Sequence, residues 1–168
     1  CESYNRQYGR DYRSVMPTNL YGPGDNYHPE DSHVVPALIQ RLHKAKVNKV
    51  PEVLIWGTGN AKREFLYVDD MAKASLHLHW LDKKEYSKIT LPNLSHVNVG
   101  SGFEIPIKKL AETIKNIVGY EGNLSFDISK PDGMVRKLLN SEIINQTGWR
   151  PEISLIEGLK KSYDDFLS

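Results

Sequence analysis

Apolar residues recur at helical spacing in three long stretches. Val35, Leu38, Ile39 and Leu42 form one stripe, which predicts a helix from His33 to about Val47, capped by Ser32 and with Pro36 in its first turn. Ile107, Leu110, Ala111, Ile114, Ile117 and Val118 predict a second helix, opened by Pro106 and closed by Gly119. A third carries Leu155, Leu159, Tyr163, Phe166 and Leu167 behind Ser154-x-x-Glu157, which reads as a capping box. Asp69 or Asp70 is expected to cap a helix reaching about Leu81, and a short helix covers roughly Ser141–Gln146. The opening Cys1–Tyr8 reads as the last turns of a helix stopped by Gly9.

Strands are expected around Ser14–Met16, where Pro17 cannot donate to a ladder, and at Val53–Trp56, Glu64–Val68, His96–Val99 and Leu124–Asp127. Leu20–Ser32 reads as a long loop, 82–94 as a lysine-bearing connection and Pro131-Asp132-Gly133 as a turn. Strands alternate with helices throughout, so the class is α/β.

Composition narrows the options. The chain has 168 residues with 22 basic and 21 acidic side chains, a net charge of +1 that excludes a bulk electrostatic grip on nucleic acid or an acidic membrane face. No apolar run approaches the ~20 residues of a membrane helix. The single cysteine, Cys1, excludes an internal disulfide and a Cys-based zinc site; it reads as a helix-packing thiol in a reducing, cytoplasmic compartment. The first residue is not Met and no targeting stretch follows, so the chain reads as a piece of something longer.

Several chemistries are missing. Gly57-Thr58-Gly59 has Lys62 where a dinucleotide fingerprint needs a third glycine, and Gly100-Ser101-Gly102 has Ile105. There is no phosphate-binding P-loop, no Tyr-x-x-x-Lys, and no serine hydrolase or zinc protease signature. His77 and His79 lie two apart on a helix and cannot share a metal, and no metal site is expected. Asp69-Asp70 is explained by capping, and His28, His43 and His96 lack a partner pattern.

Two segments are informative: Pro17-Thr18-Asn19-Leu20-Tyr21-Gly22-Pro23, and Trp56-Gly57-Thr58-Gly59-x-x-x-Arg63-Glu64-Phe65-Leu66-Tyr67-Val68-Asp69-Asp70. They resemble signatures of extended short-chain dehydrogenases/reductases that act on nucleotide sugars. With Cys1–Gly24, Asp31–Leu38, Ser95–Gly102 and Ser129–Leu139, the whole chain resembles the C-terminal half of the GDP-L-fucose synthase family.

The resemblance implies a substrate-binding lobe joined to the last strands of a Rossmann-type doubly wound sheet, with the N-terminal cofactor lobe outside this chain. Residues 1–32 would be the tail of the Rossmann lobe. Residues 33–168 would mainly form the nucleotide-sugar lobe, with 70–100 returning to the Rossmann lobe. It also implies NADPH-dependent 3,5-epimerisation and 4-reduction of GDP-4-keto-6-deoxy-D-mannose, a homodimer at full length, and no nucleic-acid or membrane partner.

By the same resemblance His33 is the epimerisation acid. Pro17, Thr18, Asn19, Leu20 and His33 would touch the cofactor; Asn19, Arg41, Trp56, Arg63 and Asp132 would touch the substrate. An aromatic can cover a ring, and an arginine fork suits a diphosphate. Plainer readings stay open: core packing for Trp56, a solvated cross-strand charge for Arg63, a turn residue for Asp132, a structural histidine for His33.

Arg41 also opens a basic run with Lys44, Lys46 and Lys49 that a solvated face explains, and Arg136 and Lys137 would add charge for phosphate. Another nucleotide-sugar epimerase or dehydratase, or a non-catalytic nucleotide-sugar binding module, are the alternatives. Without its cofactor lobe the chain is expected to be inactive, with strands near Ser14–Met16 and Val97–Val99 orphaned from their sheet.

Overall fold

The computed structural model describes all 168 residues. The elements, in order, are α1 (Glu2–Tyr8), β1 (Ser14–Pro17), β2 (Asn19–Tyr21), α2 (Val34–Val47), β3 (Glu52–Trp56), β4 (Lys62–Tyr67), α3 (Val68–Trp80), α4 (Lys83–Ile89), β5 (His96–Val99), β6 (Glu104–Pro106), α5 (Ile107–Val118), β7 (Asn123–Asp127), β8 (Arg136–Lys137), α6 (Glu142–Gln146) and α7 (Leu155–Leu167). The class is α/β, as the alternation predicts.

The three amphipathic stripes face one another. Leu38, Ile39 and Leu42 of α2, Leu110, Ile114 and Val118 of α5 and Leu159 of α7 are buried in one core, together with Val53 and Ile55 of β3 and Tyr21, Phe65 and Tyr67 of β2 and β4. Full burial of each such aliphatic side chain contributes about 1.5–3 kcal/mol. A second core gathers Leu66, Ala74, Leu78, Tyr86, Val97, Val99, Ile144 and Trp149. Its contributors are mostly α3, α4 and β5, with Ile144 and Trp149 brought in from beyond residue 140.

Three small sheets connect the cores. β1 pairs with β5 in parallel, Ser14 opposite His96 through Pro17 opposite Val99. The strands expected to be orphaned from their sheet thus pair with each other, in a two-stranded sheet with no further neighbour. β3 pairs with β7 in parallel, Trp56 opposite Asp127. β4 carries β2 and β8 in parallel and β6 antiparallel.

Several boundaries differ from expectation. Leu20 and Tyr21, read as loop, join Asn19 in a strand because β4 offers them an edge to pair with. β6 and β8 exist for the same reason, and α4 interrupts the expected connection behind Asp82, whose side chain accepts from the Lys84 N–H. His33, not Ser32, is the N-cap residue of α2, and its side chain makes no capping bond.

Asp70 does not cap α3; Tyr67 holds that position. Asp70 is 1% exposed and its Oδ2 accepts from the N–H groups of Glu152 and Ile153, fastening the entry to α7. Only half of the Ser154 capping box forms: its hydroxyl accepts from the Glu157 N–H, while the Glu157 carboxylate pairs with Lys161. Cys1 is exposed, at the N-cap position of α1. No helix is long and apolar enough to cross a membrane.

Candidate functional site

A cleft of about 740 Å³ opens between α2, the end of β3 and the start of β2. That volume lies within the usual range for small-molecule sites. Its walls include Thr18, Asn19, Leu20, His33, Arg41, Trp56, Arg63 and Asp132. Five separate segments therefore converge; of the residues singled out from sequence for cofactor or substrate, Pro17 is not on the wall, and neither are Arg136 and Lys137.

Each side chain has a structural reason for its place. Thr18 is buried, and its hydroxyl donates to the Glu64 carbonyl at 3.3 Å; the Asn19 amide donates to the same oxygen at 2.7 Å. His33 is exposed at the start of α2 in an extended conformation (φ −68°, ψ 168°), which turns the chain into the cleft wall. Two turns on, Arg41 donates to the Leu54 carbonyl of β3 at 3.3 Å.

Strand alternation sends Val53 and Ile55 inward and leaves Trp56 68% exposed, which removes core packing as its explanation. The Lys130 ammonium lies 5.6 Å from the Trp56 ring centroid. Arg63 sits on β4 opposite Ile105 and Lys137, and its Nη1 donates to the Lys62 carbonyl at 2.8 Å.

Asp132 is the most elaborated of these residues. Its carboxylate accepts from the Thr58 backbone N–H and the Thr58 hydroxyl, both at 2.6 Å. Those bonds, the hydroxyl's first, hold its pKa below the usual aspartate value, with a smaller contribution from Arg63. Gly57, at φ 84°, adopts a conformation that disfavours other residues, and a Cβ there would overlap the Asp132 carboxylate. The Gly-Thr-Gly turn is thus a seat for Asp132 that leads into strand β4, not a phosphate cradle that leads into a helix.

The sequence profile of the NAD dependent epimerase/dehydratase family matches residues 1–100. The chain belongs to that family. It is 57% identical over 167 residues to the GDP-L-fucose synthase of Escherichia coli (strain K12), covering 99% of this chain and 52% of that protein. It is 53% identical over 167 residues to GDP-L-fucose synthase 1 of Arabidopsis thaliana, covering 99% and 49%. Among solved structures, the NADP-bound GDP-mannoheptose C4 reductase of Campylobacter jejuni superposes with a TM-score of 0.84 at 30% identity, covering 100% of this chain and 56% of that one. The chain spans about half the length of the curated relatives it matches.

For this member of the family, some residues that shape the cleft escape a sequence reading. Glu64 is fully buried beneath it, its Oε1 accepting from the Gly102 N–H at 2.7 Å and its Oε2 from the Leu139 N–H at 3.0 Å. Its signal is alternation: in β4 it shares a face with Leu66, so a carboxylate points where an aliphatic group points. Thr58 has no such signal, because its partner lies 74 residues away. Asp25 joins the wall from the loop before α2. Arg136, expected to serve phosphate, is instead paired at 2.6 Å with Glu104, which also binds Lys62 at 3.2 Å. No group of three His, Cys, Asp or Glu side chains is placed to hold a metal ion.

Proposed function

We propose that this chain is the nucleotide-sugar-binding half of an NADPH-dependent GDP-4-keto-6-deoxy-D-mannose 3,5-epimerase/4-reductase, the enzyme type that makes GDP-L-fucose. The observation that carries the proposal is the convergence of Asn19, His33, Arg41, Trp56, Arg63 and Asp132 on one cleft. The names of the relatives support it.

In this reading the guanidinium groups of Arg41 and Arg63 take the diphosphate, whose charge and geometry they match. The exposed face of Trp56 covers a flat ring, and Asp132, held ionised, accepts hydroxyl donors. Inversion beside a ketone needs one group to remove a proton and another to return it on the opposite side. His33, exposed on the wall, is the group that returns it. Asn19, fixed by the Glu64 carbonyl, orients the sugar.

A nicotinamide cofactor fits this chain only along Pro17–Leu20 and His33. The Thr18 hydroxyl and the Asn19 amide nitrogen both bond the Glu64 carbonyl, so the backbone there and the Leu20 side chain would border its nicotinamide end. When bound, the cofactor supplies the hydride that reduces the C4 ketone. The rest of the cofactor site, the base for epimerisation and the homodimer contacts belong to the remainder of the enzyme, which we place in the cytoplasm.

Calorimetric titration of the folded chain with GDP tests the proposal. Saturable binding that weakens about tenfold or more in Arg63→Ala is expected. A cooperatively folded chain that ignores GDP overturns it.

A further inference from the structure

Arg63 belongs to none of the molecule's ion pairs, although an aspartate stands beside it. Its one hydrogen bond goes to the neighbouring carbonyl of Lys62. Meanwhile the Pro131-Asp132-Gly133 turn lies against it: a Cβ on Gly133 would be 3.7 Å from Arg63 Nη2, and Arg63 contributes to the lowered pKa of Asp132. A carboxylate beside a half-buried, unpaired guanidinium would ordinarily close on it, because a bidentate pair is the strongest contact open to both. Here it does not close. Two donors from Thr58 hold the carboxylate on the other side, and Gly57 leaves the room for it there.

We infer that Thr58 is a positioning residue that keeps Asp132 from neutralising Arg63, so that the guanidinium stays available to an anionic ligand. The inference deepens the nucleotide-sugar reading and rests on it only for the identity of the anion. Thr58 touches no ligand in this account. It works through Asp132, and its hydroxyl is the part that decides, since any residue supplies the backbone N–H.

The test combines a ligand-free and a ligand-bound measurement on the whole chain. Arg63→Met and Asp132→Asn are combined in a thermal-unfolding cycle, once with Thr58 and once with Thr58→Val. With Thr58 the two changes should nearly add, because only the small Coulombic contribution of Arg63 links them. With Thr58→Val the freed Asp132 pairs with Arg63, and the changes should depart from additivity by about 2–4 °C. Thr58→Ser, which keeps the hydroxyl, should behave like Thr58, and Thr58→Ala replaces Thr58→Val if the latter does not fold.

In parallel, Thr58→Val should weaken GDP binding about tenfold, and that loss should vanish when Asp132→Asn is already present. A purely structural role for Thr58 predicts the same loss with Asp132 or Asn at position 132. Additivity in both backgrounds overturns the inference whatever GDP does. The expected coupling without any GDP binding sustains the latch and overturns the nucleotide-sugar reading instead.

Discussion

Glu64 offers the sharpest test of how the cleft is held together. Its carboxylate is fully buried, and each oxygen accepts one backbone N–H, from Gly102 and from Leu139. Glu64→Gln keeps the shape but replaces one acceptor by an NH₂ group, so one of the two N–H donors faces another donor. Losing a hydrogen bond to a charged acceptor and stranding a buried N–H together cost about 2–4 kcal/mol. For a chain of this size that lowers the melting temperature by roughly 5–15 °C.

Gly100 supplies a partner for the experiment, because a Cβ there would overlap the Glu64 carboxylate. Gly100→Ala alone should cost about 1–3 kcal/mol through overpacking. With Glu64→Ala present the methyl group meets space, and the cost should shrink by about 1 kcal/mol or more. Urea melts of wild type, Glu64→Gln, Gly100→Ala, Glu64→Ala and the Ala double variant measure both quantities. A Glu64→Gln variant within about 0.5 kcal/mol of wild type, or strict additivity of the Ala pair, would refute the assignment of Glu64 as the tie between β4 and the two loops.

Three further outcomes follow from single contacts. Arg13→Met should cost about 1–3 kcal/mol in urea melts, because the guanidinium donates to the Leu78 carbonyl and, at 2.6 Å, to the Leu81 carbonyl while lying 4.6 Å from the Tyr86 ring centroid. Glu104 is held below the ordinary glutamate pKa of 4.5, first by its hydrogen bond from Arg136 and then by Lys62. Its contribution is therefore complete above that ordinary value and is lost as pH falls through the lower folded value, so Glu104→Gln should flatten the acid side of the stability profile and leave its shape near pH 7 unchanged. Trp56 is exposed on the cleft wall, Trp149 is buried and the exposed Trp80 lies off that wall, so GDP should quench emission in wild type and not in Trp56→Phe; undiminished quenching would place the nucleotide elsewhere.

The sequence is most legible where periodicity and burial coincide. The stripes of α2, α5 and α7 became one core, and Gly9 and Gly119 end α1 and α5 in the left-handed conformation. It is least legible where an element exists only through a distant partner. β2, β6 and β8 have three, three and two residues, too few for a pattern, and all pair with β4. Asp70 illustrates the same limit: local chemistry proposes a cap, but burial against residues 82 and 83 positions later decides its role. In the cleft, composition and spacing could mark a turn at Asp132 and a helix start at His33, but only resemblance joined them to Trp56 and Arg63.

Their convergence nevertheless has a simple cause in the topology. β3 and β7 are parallel and in register to their last residues, Trp56 opposite Asp127, so both strands release their loops at the same edge. One loop is Gly57-Thr58-Gly59 and the other leads through Lys130 to Asp132, which is why a turn and a turn 74 residues away meet within hydrogen-bond distance. α2 enters β3 through a short connection and runs back along it, so the helix start lies beside the strand's end. A 14-residue helix is about 21 Å long and a five-residue strand about 17 Å, so His33 and Trp56 come to the same end, both on the cleft wall. Ligand sites at the carboxyl ends of parallel strands are a property of open α/β sheets. Here that property, with one buried glutamate below and one threonine at the rim, is sufficient to assemble the cleft from segments that share no local pattern.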